Sequence, residues 1–87
     1  MMKAFHLTVS TPSGKAYDNN VIFLGLRGTE GSLGILADHI PFTTTVLPCK
    51  CKIKVDNSSE LEAEISEGLL TVSKELTSLL VNSFTII

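Results

Sequence analysis

Apolar and polar residues alternate along most of this chain with a period of two, the spacing of half-buried β-strands. Phe5, Leu7 and Val9 alternate with His6, Thr8 and Ser10, which predicts a first strand. Thr11-Pro12-Ser13-Gly14 is a turn by composition. A short second strand is expected around Ala16-Tyr17, ended by Asp18-Asn19-Asn20. Val21 to Leu26 is apolar on both faces and predicts one strand covered on both sides, by a second sheet and by a partner. Ser32 to Leu36, Thr43 to Leu47, Leu69 to Ser73, Leu76 to Val81 and Phe84 to Ile87 read as further short strands. No stretch of ten or more residues shows a capped helical period. Short strands with turn signals about every ten residues indicate an all-β sandwich or barrel.

The clearest hairpin spans Cys49 to Ile65. Cys49, Cys51, Ile53 and Val55 face one way and Lys50, Lys52 and Lys54 the other. Across Asp56-Asn57-Ser58-Ser59, Leu61, Ala63 and Ile65 continue the apolar face and Glu62 and Glu64 the charged one. A three-residue loop, or a five-residue loop with a bulge, keeps both apolar sets on one side; four residues would put lysine opposite leucine. The expected register sets Lys54 opposite Glu62 and Lys52 opposite Glu64, pairs that fix register more than they add stability.

One stretch departs from plain alternation. Gly28 to Phe42 reads G-T-E-G-S-L-G-I-L-A-D-H-I-P-F, with three glycines, an Asp-His pair and a proline. Gly28-Thr29-Glu30-Gly31 reads as a turn. Pro41 forces Ile40 into extended geometry and removes a backbone donor, so residues 37–41 form a corner. Gly31 and Gly34 fit turn and bulge geometry and equally fit close approach by a partner.

Composition narrows the function classes. The 87 residues suit one domain, residues 1–87. Seven basic against nine acidic residues give a net charge of −2, which supplies no footprint for nucleic acid or anionic lipid. A mean hydropathy of +0.32 in so small a chain points to apolar surface left for a partner. No signal peptide or membrane-spanning run is visible, so a soluble, cytoplasmic chain is expected. Cys49 and Cys51 lie about 6.5–7 Å apart at Cα on a strand, at the limit for a disulfide, and two thiols fall short of a zinc site. Reduced core cysteines are the expectation, with redox or metal chemistry the alternative. His6 is expected in solvent. Asp38 and His39, adjacent on an extended chain, point opposite ways and pair poorly as a catalytic couple. No phosphate loop, G-x-S-x-G or H-E-x-x-H occurs, so no metal, cofactor or catalytic residue is assigned. A binding or structural module remains, either an assembly subunit or an independent ligand-binding sandwich.

The glycine-rich stretch resembles the signature of the epsilon subunit of F-type ATP synthases (delta in mitochondria), roughly G-x-E-G-x-x-G-I-x-P-G-H-x-P. Phe5 to Val9 is similar to that family's opening aromatic-x-L-x-V strand, and Thr11 to Gly14 to its T-P-x-G. Leu47 through Ile53 corresponds to its L-x-x-G-x-x-x-I/V hairpin and Ser66 through Val72 to its S-G-G-x-L-x-V turn. The resemblance covers almost the whole chain. It implies a ten-stranded β-sandwich of two five-stranded sheets. It also implies a non-catalytic rotor subunit in the central stalk of a proton- or sodium-translocating enzyme, peripheral on the inner face of the cell membrane. The implied partners are the gamma subunit and the c-ring. By correspondence, Thr29, Glu30, Gly31 and Ser32 fall at the c-ring contact, and Ser10, His39, Ile40 and Thr44 on or near the gamma-facing surface. His39 suits an interface or a corner-bracing hydrogen bond.

Departures accompany the match. Ala37-Asp38 stands where the family has Pro-Gly, so Asp38 is expected to meet a glycine-permitted conformation. Ser32 replaces a frequent acid, Lys50 or Cys49 the hairpin glycine, and Glu67 a glycine of the S-G-G turn. The family's C-terminal helical hairpin, which carries inhibition of hydrolysis and in some members ATP binding, has no counterpart in these residues. This chain is therefore expected to bind no nucleotide.

Overall fold

Ten strands account for the chain in a computed structural model, which describes residues 3–37 and 40–87. They are β1 (Phe5–Thr11), β2 (Gly14–Val21), β3 (Phe23–Gly28), β4 (Gly31–Ile35) and β5 (Phe42–Val46), then β6 (Cys49–Lys54), β7 (Glu60–Ile65), β8 (Gly68–Val72), β9 (Thr77–Val81) and β10 (Phe84–Ile86). One five-stranded layer runs β10-β7-β6-β3-β4 and the other β5-β8-β9-β1-β2. They are laced together at one corner, by the Gly28–Val46 pair and a 2.8 Å hydrogen bond from Leu47 N to Arg27 O. The expected sandwich of two five-stranded sheets is thus found, with its layers continuous at that corner.

Alternation places the core. Leu7 and Val9 of β1, Leu70 of β8 and Leu79 of β9 are fully buried from one layer, and Leu24, Ile35, Cys51, Ile53 and Ala63 from the other. Each such aliphatic side chain contributes about 1.5–3 kcal/mol on leaving water. The polar residues between them remain on the two outer faces.

Two strand expectations change. β2 does not stop before Asp18; it runs through Asn19 and Asn20 to Val21, paired with β1 along its length. As an edge strand it carries polar side chains without burying them, so propensity gives way to the hairpin ladder. The single strand expected from Val21 to Leu26 is two. Ile22 is a buried bend, its N–H bonded to Lys54 O at 2.8 Å, where the chain passes from one layer to the other. Val21 and Ile22 are buried in succession because the crossing point lies between the sheets. Phe23 then turns outward, and its ring lies over the paired glycines Gly25 and Gly34, filling the space their side chains would take.

The β6–β7 hairpin keeps the expected faces but not the expected register. Lys50 pairs with Glu64, Lys52 with Glu62 and Lys54 with Glu60. The loop takes five residues because Val55 N donates to Ser59 O at 2.9 Å and the Asp56 carboxylate accepts from Ser58 N at 2.8 Å. The bond from Ser58 N, with those from the Ser58 hydroxyl and from Ser59, holds the Asp56 carboxyl below the usual carboxylate range. Pairing therefore begins at Lys54–Glu60, two residues earlier on β6 than the Asp56–Glu60 pair that a three-residue loop would give.

Cys49 and Cys51 are free thiols, Cys49 half-buried and Cys51 fully enclosed. Desolvation, helped by the neighbouring Cys49, pushes Cys51 up to about 11 from 9.0. The folded state therefore holds this proton more tightly than the unfolded chain. Its contribution is complete below about pH 9 and is lost as pH rises toward about 11. Thermal melts across that window should fall more steeply for the parent than for Cys51→Ala; equal slopes would contradict this.

The ends of the strand order, β2 and β10, meet through side chains. The Tyr17 and Phe84 rings sit with centroids 6.1 Å apart at 42°. The Tyr17 hydroxyl is buried there without a hydrogen-bond partner among the described residues. An unpaired buried hydroxyl costs about 1–3 kcal/mol. Tyr17→Phe should accordingly leave the melting temperature unchanged or raise it, and a clear fall in a thermal melt would show that the hydroxyl is satisfied.

Candidate functional surfaces

The tip of the β3–β4 hairpin is built from the glycine-rich stretch. Gly28 pairs with Gly31, leaving Thr29-Glu30 as a two-residue loop. Gly31 has φ of +125°, a conformation that side chains rarely adopt, which is why glycine stands there. Thr29, Glu30, Gly31 and Ser32 are all exposed. The short ladder behind them makes this tip a stiff projection.

The second surface is the outer face of the β5-β8-β9-β1-β2 layer. Cross-strand pairing sets Thr45 beside Leu69, Leu69 beside Leu80, and Leu80 beside Ser10, one row across four strands. The next row is Thr43, Thr71, Ser78 and Thr8. Leu69 and Leu80 are 40% and 50% exposed amid these short hydroxyl side chains. Beside them opens a groove of about 540 Å³, lined by Ser10, Thr45, Glu67, Leu69, Leu80 and Asn82 among others. Two of its lining residues, Glu67 and Asn82, are tied together by Ser66, whose hydroxyl accepts from Asn82 N at 2.8 Å and Ser83 N at 3.1 Å and donates to Glu67 O.

Ser10 therefore lies on this face, whereas Thr44 does not. Thr44 pairs with the buried Leu70 and faces inward, while Thr43 and Thr45 share the side of Ser10. Ile40, 78% exposed, stands at the approach to β5. Asp38 and His39 lie outside the described residues, and with them the expectations placed on the Asp-His pair.

Sequence reasoning passed over Leu69 and Leu80, yet a signal was present. β8 and β9 each contain a Leu-Leu pair, and neighbours on a strand point to opposite faces. One leucine of each pair must face outward; the register brings those two together.

At the rim of this face His6 is outward, as expected, but held rather than loose. Its Nε2 contacts the Asp18 carboxylate and its Nδ1 lies 3.0 Å from Asn20 Oδ1. Lys15 Nζ sits 3.1 Å from the same carboxylate and, with His6, lowers the Asp18 pKa. All of these groups are exposed and make a polar border.

Fold and surfaces together give an all-β sandwich with an exposed hairpin tip and a sheet face with two exposed leucines at its centre. Residues 4–86 match the family model described as the β-sandwich domain of the ATP synthase delta/epsilon chain, and the chain belongs to that family. It is 36% identical over 83 residues to the ATP synthase epsilon chain of Alkaliphilus oremlandii, covering 95% of this chain and 61% of that one. It is 38% identical over 79 residues to the sodium-ion-specific epsilon chain of Propionigenium modestum, covering 91% and 57%. The chain thus spans about three fifths of the length of these relatives. A chain of the Euglena gracilis mitochondrial ATP synthase, solved as OSCP, F1 and c-ring, has the same fold at a TM-score of 0.88 and 18% identity, with 95% of this chain and 53% of that one covered. The central stalk and c-ring structure from Tetrahymena thermophila gives 0.76 at 20% identity, covering 95% and 66%.

Proposed function

We propose that this chain is the β-sandwich part of a non-catalytic central-stalk subunit of an F-type ATP synthase. It binds the gamma subunit and the c-ring and helps couple ion-driven ring rotation to ATP synthesis. The observation that carries the reading is the Leu69–Leu80 pair, exposed beside Ser10 in a member of the delta/epsilon family. Two leucines in a field of threonine and serine give an apolar centre with a hydroxyl rim, the anatomy of a protein–protein contact. In this reading the gamma subunit covers that face, with Ser10 and Ile40 at its margin. The Thr29–Ser32 tip rests on the polar loops of the c-ring.

Mechanically, the domain must resist shear between ring and stalk. A hairpin with a two-residue loop, backed by two laced layers, transmits a sideways load with little bending. No residue of the chain takes part in ATP chemistry, and it binds no nucleotide. The subunit sits on the inner face of the cell membrane, held there by the complex.

Co-expression with the gamma subunit of the same enzyme tests the proposal. A stable gamma complex that Leu80→Glu disrupts, with the variant still folded by circular dichroism, is the expected result. No complex between properly folded partners at micromolar concentration would overturn it.

A further inference from the structure

The outer face of the other layer, opposite the leucine pair, holds a fork between strands. β3 pairs with β6 only from Phe23–Lys54 to Gly25–Lys52, and then diverges toward β5 at Gly28–Val46. Opposite Cys49–Cys51 it supplies no ladder partner among the described residues. The gap is closed at both ends, by the Gly25–Lys52 pair and by the Gly28–Val46 pair with its Leu47 N to Arg27 O bond, while the other edge of β6 remains paired with β7. A groove of about 590 Å³ occupies the fork. Its floor is apolar, with the Phe23 ring, Leu33 and Pro48, and its walls carry Arg27, Lys50 and Lys52 against one acid, Glu62.

These cations are not consumed within the sheet. The register sets Lys50 and Lys52 opposite Glu64 and Glu62, but neither couple closes into an ion pair among the described residues. Arg27 lies opposite Ser32 and has no carboxylate partner among them either. The whole chain has a net charge of −2, so this basic pocket stands against its overall balance.

We infer that the fork is a docking site for a short extended acidic segment of a partner protein, with aliphatic residues between its carboxylates. Arg27, Lys50 and Lys52 receive carboxylates, the arginine in the bidentate geometry its planar fork favours. Phe23 and Pro48 take the aliphatic side chain between them. The site is separate from the leucine face and touches the hairpin tip only at Ser32, so it does not depend on the stalk assignment.

The test uses the whole chain and a capped peptide of alternating aspartate and leucine, followed by amide NMR shifts. Shifts confined to Arg27, Ser32 and Cys49–Lys52 are expected, with binding that weakens as salt rises. Arg27→Ala with Lys50→Ala should reduce affinity roughly fivefold or more. Lys54→Ala and Lys74→Ala, outside the groove, should leave it unchanged. Equal losses in both sets, shifts centred on Leu69 and Leu80, or binding only to phosphatidylglycerol vesicles and not to the peptide would each overturn the inference.

Discussion

Gly68→Ala should destabilise the domain more than any other single-methyl addition at a described glycine. A Cβ at residue 68 would stand 1.9 Å from the backbone oxygen of Leu80 and 2.7 Å from Val81 Cγ1. Gly68 belongs to β8, paired with Val46 on one side and Val81 on the other, so neither neighbour can step aside without breaking a ladder. Overpacking costs about 1–3 kcal/mol where side chains can adjust, and more against backbone. About 3 kcal/mol would lower the melting temperature by roughly 12–24 °C in a domain of this size. Gly34→Ala is the internal control. Its nearest contact is the Phe23 ring at 3.2 Å, a side chain that can shift, and the cost should stay below about 1 kcal/mol. Similar melting temperatures for the two variants would show that the β8–β9 approach is looser than the structure has it.

The second large effect separates stability from assembly at adjacent residues. Leu70 is fully buried and Leu69 is 40% exposed, on opposite faces of β8. Leu70→Ala removes core volume from a closed layer and should cost about 2–5 kcal/mol in denaturant unfolding. Leu69→Ala should change stability by no more than about 0.5 kcal/mol. Yet it should weaken binding to the gamma subunit by about 1–2 kcal/mol, roughly five- to thirtyfold in Kd. A Leu69→Ala variant that binds as the parent does would remove this face from the proposed interface, whatever its fold.

Much of this was legible from period and punctuation. The alternation of Phe5 to Val9 and of Cys49 to Ile65 specifies strands and their inward faces. In both, the structure buries the predicted apolar set or its larger part. Gly28 to Gly31 specifies a turn because its glycines bracket two polar residues. The all-β class follows from the same local signals. Family resemblance, on the G-T-E-G-S-L-G-I stretch, supplied the number of strands and the division into layers, which periodicity does not encode.

The misreadings share a cause. Asp18-Asn19-Asn20 looks like a terminator because those residues disfavour strands, yet pairing with β1 carries them through at an edge. The hairpin register missed by two because local parity permits either loop length, and side-chain bonds from Asp56 select five residues. Val21 to Leu26 looks like one strand because burial on both faces has the same pattern whether a strand is covered twice or a chain crosses between sheets.

The candidate surfaces divide along the same line. Sequence alone determined that one leucine of each Leu-Leu pair faces outward, that the 28–31 tip is exposed, and that β6 carries its lysines on one side. These are consequences of a period of two, which is a property of the extended backbone. Only the tertiary structure decided that Leu69 and Leu80 are neighbours and that Thr44 turns away from Ser10. It alone decided that β3 parts from β6 to open a basic fork. Each of those depends on strand order and register between segments distant in the chain, and they are set by how the two layers fill one core.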